Sequence, residues 1–281
     1  MSSAPASSNG VCYRHPDRQS YVLCQRCGRT ICPQCQTQAA VGVQCPECVR
    51  EGNAGVNRGR SPIVTSIRRA RTTSQPIVTY TIMAICVFVW LLQVIPGSPA
   101  TQLLAYNPLL TAAEPWRMIT AIFTHSPGSP LHLLFNMYTL FIFGRMLESI
   151  LGRWRYVALY LVAGLGGSVA VLLLSPYTWV VGASGAIFGL LGAFVVIQRK
   201  LGMKNPQLIV LIAINLVIGF LPGFQISWQA HVGGLIAGIA VAFAYLRTRR
   251  PEQKTTQILL VAGIVVALVV ISLVRLFVIG L

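Results

Sequence analysis

Carboxylates are scarce in this chain. Its 281 residues hold six, namely Asp17, Glu47, Glu51, Glu114, Glu148 and Glu252, so chemistry built on paired acids has little to draw on. Charged residues of either sign make up 10%, against about 25% in a soluble domain. That scarcity excludes an ordinary soluble globular protein. Hydrophobic side chains make up 54% and the mean hydropathy is +0.67, which excludes a disordered chain. No long apolar run occurs before about residue 77, so no secretory signal peptide is expected.

What the chain does carry is basic charge and long apolar runs. It has 22 Lys and Arg and a formal net charge of +16. The basic residues cluster between apolar segments, the pattern of an all-α polytopic membrane protein rather than of a nucleic-acid binder. A bilayer crossing takes about 20 apolar residues. Spans are expected near 77–95, 131–147, 154–174, 182–198, 207–221, 228–246 and 257–281. The first is preceded by Arg58, Arg60, Arg68, Arg69 and Arg71. Arg145, Arg153 and Arg155 follow the second, Arg199, Lys200 and Lys204 the fourth, and Arg247, Arg249, Arg250 and Lys254 the sixth. The opposite loops hold Arg117 alone. The bias predicts a cytoplasmic N-terminus, even-numbered spans running inward and a seventh ending outside, where Arg275 can snorkel to the interface. The basic loops then lie against anionic lipid, and no nucleic-acid partner is expected.

Seven of the eight cysteines lie in residues 1–50, followed by a basic linker over 51–76 and a seven-span domain over 77–281. Cys12 and His15, Cys24 and Cys27, Cys32 and Cys35, and Cys45 and Cys48 form four pairs, each with two intervening residues. Eight such ligands suit two tetrahedral structural Zn2+ sites, and a reducing cytosol disfavours disulfides. Only four residues separate Cys27 from Cys32. The tight gap favours an interleaved arrangement, with Cys12, His15, Cys32 and Cys35 on one ion and Cys24, Cys27, Cys45 and Cys48 on the other. This cross-brace resembles B-box zinc fingers, though it ends on a Cys pair where many of those supply histidine. A structural role, or one in binding a cytoplasmic protein partner, is expected rather than a catalytic one. The eighth cysteine, Cys86, sits in the first span and reads as a small apolar side chain.

Polar residues inside spans are costly and point to function. His132 and Asn136 in the second span, Ser184 in the fourth and His231 in the sixth all fall in the first few positions of even-numbered spans. At 1.5 Å per residue this puts them within roughly 10 Å of the outer helix ends. A hydroxyl, an imidazole and a carboxamide thus share one depth. Ser184 lies in Gly182-Ala183-Ser184-Gly185 near a helix N-terminus, where free N–H groups favour an oxyanion. His231 is placed to accept the Ser184 proton and return it to a leaving amine. Asn136 and His132, one turn apart, share a face beside the same oxygen. Glu148 falls across the membrane and Glu114 in the outer loop, so a Ser–His dyad is simpler than a triad, with Phe188 stacking on the imidazole. The glycines around Ser184, and Gly234 with Gly238, also read as packing faces. Close approach of those two spans is what Ser184 and His231 need in order to meet.

Trp116-Arg117, His132-x3-Asn136, Gly144-Arg145-x2-Glu148, Gly182-x-Ser184-Gly185, and Ala230-His231-x2-Gly234 followed by Gly238 occur in that order. Over about 77–281 the chain resembles the rhomboid family of intramembrane serine proteases. The resemblance implies a six-helix core plus one C-terminal helix, with Ser184 as nucleophile and His231 as general base. His132, Asn136 and the Ser184 backbone N–H would form the oxyanion hole. The first loop would lie partly in the membrane, held by Trp116 and Arg117. Phe188 stands where the family often has tyrosine and keeps the ring. The implied substrates are single-span membrane proteins cut near the outer membrane face, in a multi-pass protein of a bacterial plasma membrane. A loop at about 222–227, opened by Pro222 and Gly223, is expected to serve as a mobile cap or a side entrance to the site. A scaffold relative typically lacks the serine or the histidine, and a transporter would carry polar groups at the midplane. Neither pattern is present.

Overall fold

The computed structural model describes residues 10–39, 41–58, 75–219 and 226–279. Arg60, Arg68, Arg69 and Arg71 of the expected linker, and most of the expected cap at 222–227, lie outside these residues. The chain divides into two compact units, Met1–Ser66 and Ile67–Leu281.

The first unit is small and poor in hydrocarbon. Two antiparallel pairs, β1 (Val11–Cys12) with β2 (His15–Gln19) and β3 (Thr37–Gln38) with β4 (Val43–Gln44), precede helix α1 (Pro46–Arg58). Its buried cluster consists of Cys12, Cys24, Ile31, Cys32, Cys35, Cys45 and Cys48. Ile31 is the one aliphatic side chain in that cluster, so transfer of apolar surface supplies little stability. A unit this small needs other staples.

The second unit is helical. Helix α2 (Ile77–Gln93) leads into a long connection holding α3 (Ala100–Leu104) and α4 (Arg117–Thr120). Then come α5 (Pro130–Leu151), α6 (Arg153–Leu174), α7 (Ser184–Lys200), α8 (Pro206–Ile218), α9 (Trp228–Arg247) and α10 (Lys254–Ile279). Sequence punctuation sets the ends. Pro130 and Pro206 occupy first turns, where no N–H is needed. The Asn205 side chain caps α8 and that of Ser227 caps α9. Gly152, at φ +81°, makes the turn between α5 and α6 that L side chains avoid.

Among the described residues, four helices are long and apolar enough to cross a membrane: Pro130–Leu151, Arg153–Leu174, Trp228–Arg247 and Pro251–Val278. The expected second span is longer than anticipated and contains a π-helical turn at Leu140–Gly144. Helix α8 has 13 residues, about 20 Å of rise, less than a hydrocarbon core of about 30 Å. Helix α7 is also short, at 17 residues, and it forms the centre of the unit. Every residue from Gly185 to Phe194 is buried. Helices α6 and α9 pack against it and against each other. At the α7–α9 crossing a Cβ on Gly234 would overlap the Gly185 carbonyl oxygen, and one on Gly238 the Gly189 carbonyl oxygen. Backbone touches backbone there, which only glycine permits.

The far ends of α5, α7 and α9, away from Ser184, carry the basic residues and Glu148. Glu148 is buried and accepts hydrogen bonds from Val78 N (3.0 Å), Thr79 N (2.8 Å) and Thr79 Oγ1 (2.7 Å). A carboxylate at a helix start satisfies orphan donors and the positive end of the dipole, so Glu148 fastens α2 to α5. Arg145 lies over the Phe141 ring at 4.4 Å.

Candidate active site

The long connection before α5 builds the support for the site. Arg117 is buried; it donates to the Glu114 carboxylate, to Gln102 O and to Ala105 O (2.9 Å). This ties Glu114 to Arg117 and removes it as a partner for the imidazole of His231. Trp116, expected with Arg117 to hold the first loop partly in the membrane, is half exposed; its carbonyl oxygen accepts from Ile119 N and Thr120 N. One guanidinium reaches three oxygens with its five donors, whereas an indole offers a single N–H.

This anchored connection then grips the segment leading to Ser184. Tyr106 and Val180 exchange backbone hydrogen bonds of 3.0 and 2.8 Å, and Gly182 N donates to Ala121 O at 3.1 Å. Ser168 Oγ donates to Met118 O (2.7 Å) and Tyr160 OH to Ile122 O (3.2 Å), fixing α4 and the turn after it on α6. Tyr106, Ala121 and Val180 were not singled out from the sequence. Their contribution is a backbone pairing between distant segments, which leaves no periodic or compositional trace.

Gly182 has φ +127°, and the chain turns there into α7 with Ser184 as its first residue. Ser184 Oγ lies 2.9 Å from His231 Nε2. The Phe188 ring, one turn further along α7, stacks on the imidazole at 4.1 Å between centroids and 10° between planes. His231 is buried, and Ser184 is partly exposed. Among the described residues no group hydrogen-bonds His231 Nδ1, and no carboxylate approaches it.

His132 borders the same space, and Asn136 follows it one turn later on α5. A Cβ built on Gly182 would lie 2.9 Å from His132 Nε2 and 3.7 Å from Ser184 Oγ. His132 Nδ1 accepts from Ser126 N at 3.4 Å. Asn136 is buried and donates one N–H to His132 O at 2.8 Å, which leaves its second N–H for another acceptor. The first-turn N–H groups of α7 have no acceptor within the helix. Ser184, His231, Phe188, His132 and Gly182 thus converge from α5, α7 and α9. Arg145 and Glu148 lie at the other end of these helices.

In the first unit the eight paired residues gather into two groups, Cys12 with His15, Cys32 and Cys35, and Cys24 with Cys27, Cys45 and Cys48. Within each group all donor atoms lie within 4.8 Å of one another. The grouping is the interleaved one, and His15 contributes Nδ1, 3.4 Å from the Cys32 and Cys35 sulfurs. Burial pushes the Cys12 and Cys24 thiols up, but backbone N–H groups outweigh it, those of Cys32 and Cys45 foremost, and hold both at about 6. Burial and the neighbouring thiols push Cys35 up to about 11 and raise Cys48 as well. Three thiols in one group and four in the other, crowded together, cannot all ionise unless a cation joins them, so each donor set fits a metal ion. Arg29 donates to Cys27 Sγ at 3.3 Å and lies over the Tyr13 ring at 4.4 Å, and Arg26 donates to Cys48 O at 2.7 Å. Both arginines surround the all-cysteine group, which would carry the larger negative charge.

Fold and site together define a multi-pass helical membrane protein in which a serine and a histidine meet near one end of the spans. Residues 112–248 match the model of the Rhomboid domain family. The chain is similar to the rhomboid protease GluP of Bacillus subtilis, 38% identical over 181 residues, 60% of this chain and 35% of GluP. It is similar to YdcA of Bacillus subtilis, named as a candidate rhomboid protease, 34% identical over 64% of this chain and 92% of YdcA. It is also similar to RHOMBOID-like protein 5 of Arabidopsis thaliana, 40% identical over 49% of this chain and 46% of that protein. The chain therefore spans most of YdcA but less than half of the other two. It belongs to the rhomboid family. The cysteine-rich unit and α10 lie outside the matched domain.

Proposed function

We propose that this protein is an intramembrane serine endopeptidase working through a Ser184–His231 dyad. The observation that carries the reading is the 2.9 Å contact between Ser184 Oγ and His231 Nε2 where α7 and α9 cross. In the reaction, Ser184 Oγ attacks the scissile carbonyl carbon while His231 Nε2 takes its proton. The carbonyl oxygen becomes an oxyanion, held by the Ser184 backbone N–H, His132 Nε2–H and the second Asn136 N–H. His231 then gives its proton to the leaving amine as the C–N bond breaks. Water attacks the acyl-enzyme, His231 removes its proton, and collapse restores the Ser184 hydroxyl. Stacking on Phe188 orients the imidazole in place of a carboxylate.

Substrates on this reading are single-span membrane proteins, cut near the end of the bilayer where Ser184 lies. The basic flanks support a reading with that end outside and the N-terminus in the cytoplasm; the membrane on this reading is a bacterial plasma membrane. Residues 1–50 form a module folded by two structural Zn2+ ions, joined by the basic linker over 51–76 to the membrane domain over 77–281. The GluP name, that of a rhomboid protease, supports the hydrolase assignment. The test uses the full chain in a lipid bilayer with a transmembrane reporter. Wild type is expected to cleave it; Ser184→Ala and His231→Ala are expected to lose at least about 10³-fold in kcat. Cleavage persisting in either variant would refute the dyad, and an inactive wild type would favour a binding role for the fold.

A further inference from the structure

The outer end of α2 contributes two polar side chains that the dyad does not use. Gln93 is buried; its Nε2 donates to Thr101 Oγ1 (3.0 Å) and its Oε1 accepts from His125 N (3.0 Å). One turn earlier, Trp90 Nε1 donates to Ser126 O (3.1 Å). Between them they hold Thr124–Ser126, whose other side is tied down by Thr124 Oγ1 donating to Ala121 O (2.8 Å). Thr124 and His125 are wholly buried, and the His125 ring packs on His132 at 5.3 Å. Ser126 N in turn points its hydrogen at His132 Nδ1.

We propose that Trp90 and Gln93 are positioning residues that set the tautomer of His132, an inference resting on the hydrolase reading above. A backbone N–H can only donate, so the His132 nitrogen it faces must be the acceptor. A neutral imidazole then carries its proton on the other nitrogen, Nε2. That nitrogen borders the Gly182 space shared with Ser184 Oγ. A proton there stabilises a developing oxyanion, whereas a lone pair there repels it. The orientation of Ser126 therefore decides whether His132 helps or hinders. Ser126 is oriented by its carbonyl on Trp90 and by the neighbouring N–H of His125 on Gln93. The clamp also spans elements, since α2 and α3 supply the anchors while α5 carries the imidazole.

The experiment compares Trp90→Phe, which keeps an aromatic ring and removes the donor, and Gln93→Leu with wild type in the bilayer reporter assay. Each is expected to lower kcat about 10-fold with KM unchanged, less than the roughly 10²–10³-fold of deleting an oxyanion donor. In the His132→Ala background neither should cost anything more, because the donor they position is gone. Nitrogen NMR of labelled histidine should show His132 protonated on Nε2 in wild type and a tautomer mixture in Trp90→Phe. Thr79→Ala, which weakens the fold at the opposite end of the helices, should combine additively with His132→Ala. Losses in the clamp variants that add to His132→Ala, that fall on KM, or that leave the tautomer intact would overturn the clamp, as would wild-type kcat in both. If wild type does not cleave, the hydrolase reading fails first, and if Ser184→Ala still cleaves, the dyad does; if wild type cleaves and Ser184→Ala is inactive, these outcomes bear on the clamp alone.

Discussion

Phe188 carries an unusual share of the work for an apolar residue. His231 Nδ1 lacks a hydrogen-bond partner among the described residues, so the imidazole plane is set by its stack on the ring of Phe188. Such a pair contributes about 0.5–1.5 kcal/mol. Phe188→Leu is expected to lower kcat about 2- to 10-fold without unfolding the protein, and Phe188→Tyr to keep near wild-type activity, both read from reporter kinetics. Glu148 shows the opposite division of labour. It lies far from Ser184, yet its carboxylate accepts three hydrogen bonds from the start of α2. Glu148→Gln should cost roughly 2 kcal/mol of stability and leave the kcat of the folded fraction unchanged. Thermal unfolding in detergent, set beside activity per folded molecule, checks both halves of that expectation.

At the scale of elements, the crossing of α7 and α9 decides whether Ser184 and His231 meet. Gly234 and Gly238 meet carbonyl oxygens of α7 with no room for a methyl group. Gly234→Ala must push the helices apart or strain them, at a cost of about 1–3 kcal/mol. The displacement lies one turn from His231, so activity should fall by more than the stability loss accounts for. A kcat reduced at least about 10-fold in protein that still unfolds cooperatively would bear this out. The long connection before α5 acts as an element in its own right, because Arg117 closes it on itself and Tyr106 and Ala121 pass its position on to Val180 and Gly182.

At the scale of the whole molecule, the two units differ in what folds them. The membrane unit rests on apolar packing and glycine-lined crossings. The cysteine-rich unit has a core of sulfur around Ile31. A strong chelator is therefore expected to unfold residues 10–58 and leave the helical unit intact. Limited proteolysis should then open sites in the N-terminal unit alone, while cleavage of the reporter by the remaining domain continues. Protons compete with metal for thiolates, so metal release should increase as pH falls, followed with a chromophoric chelator.

Several features of this protein needed nothing beyond the sequence. The apolar runs and the basic flanks define a multi-pass helical chain, since a bilayer imposes its own length and charge rules on each segment separately. The paired cysteines were legible for the same local reason: two intervening residues place two sulfurs on one side of a turn. The motif order carried Ser184, His231, His132 and Asn136 as candidates. Tertiary structure alone decided what touches what. Ser184 and His231 are 47 residues apart, and their meeting depends on how closely two glycine faces approach. The bridge from Tyr106 to Val180, the exposure of Trp116, and the hold of Trp90 and Gln93 on Thr124–Ser126 were likewise invisible beforehand. Each is a hydrogen bond or a surface created when separate segments dock, and the geometry of docking is not written in the pattern of any one segment.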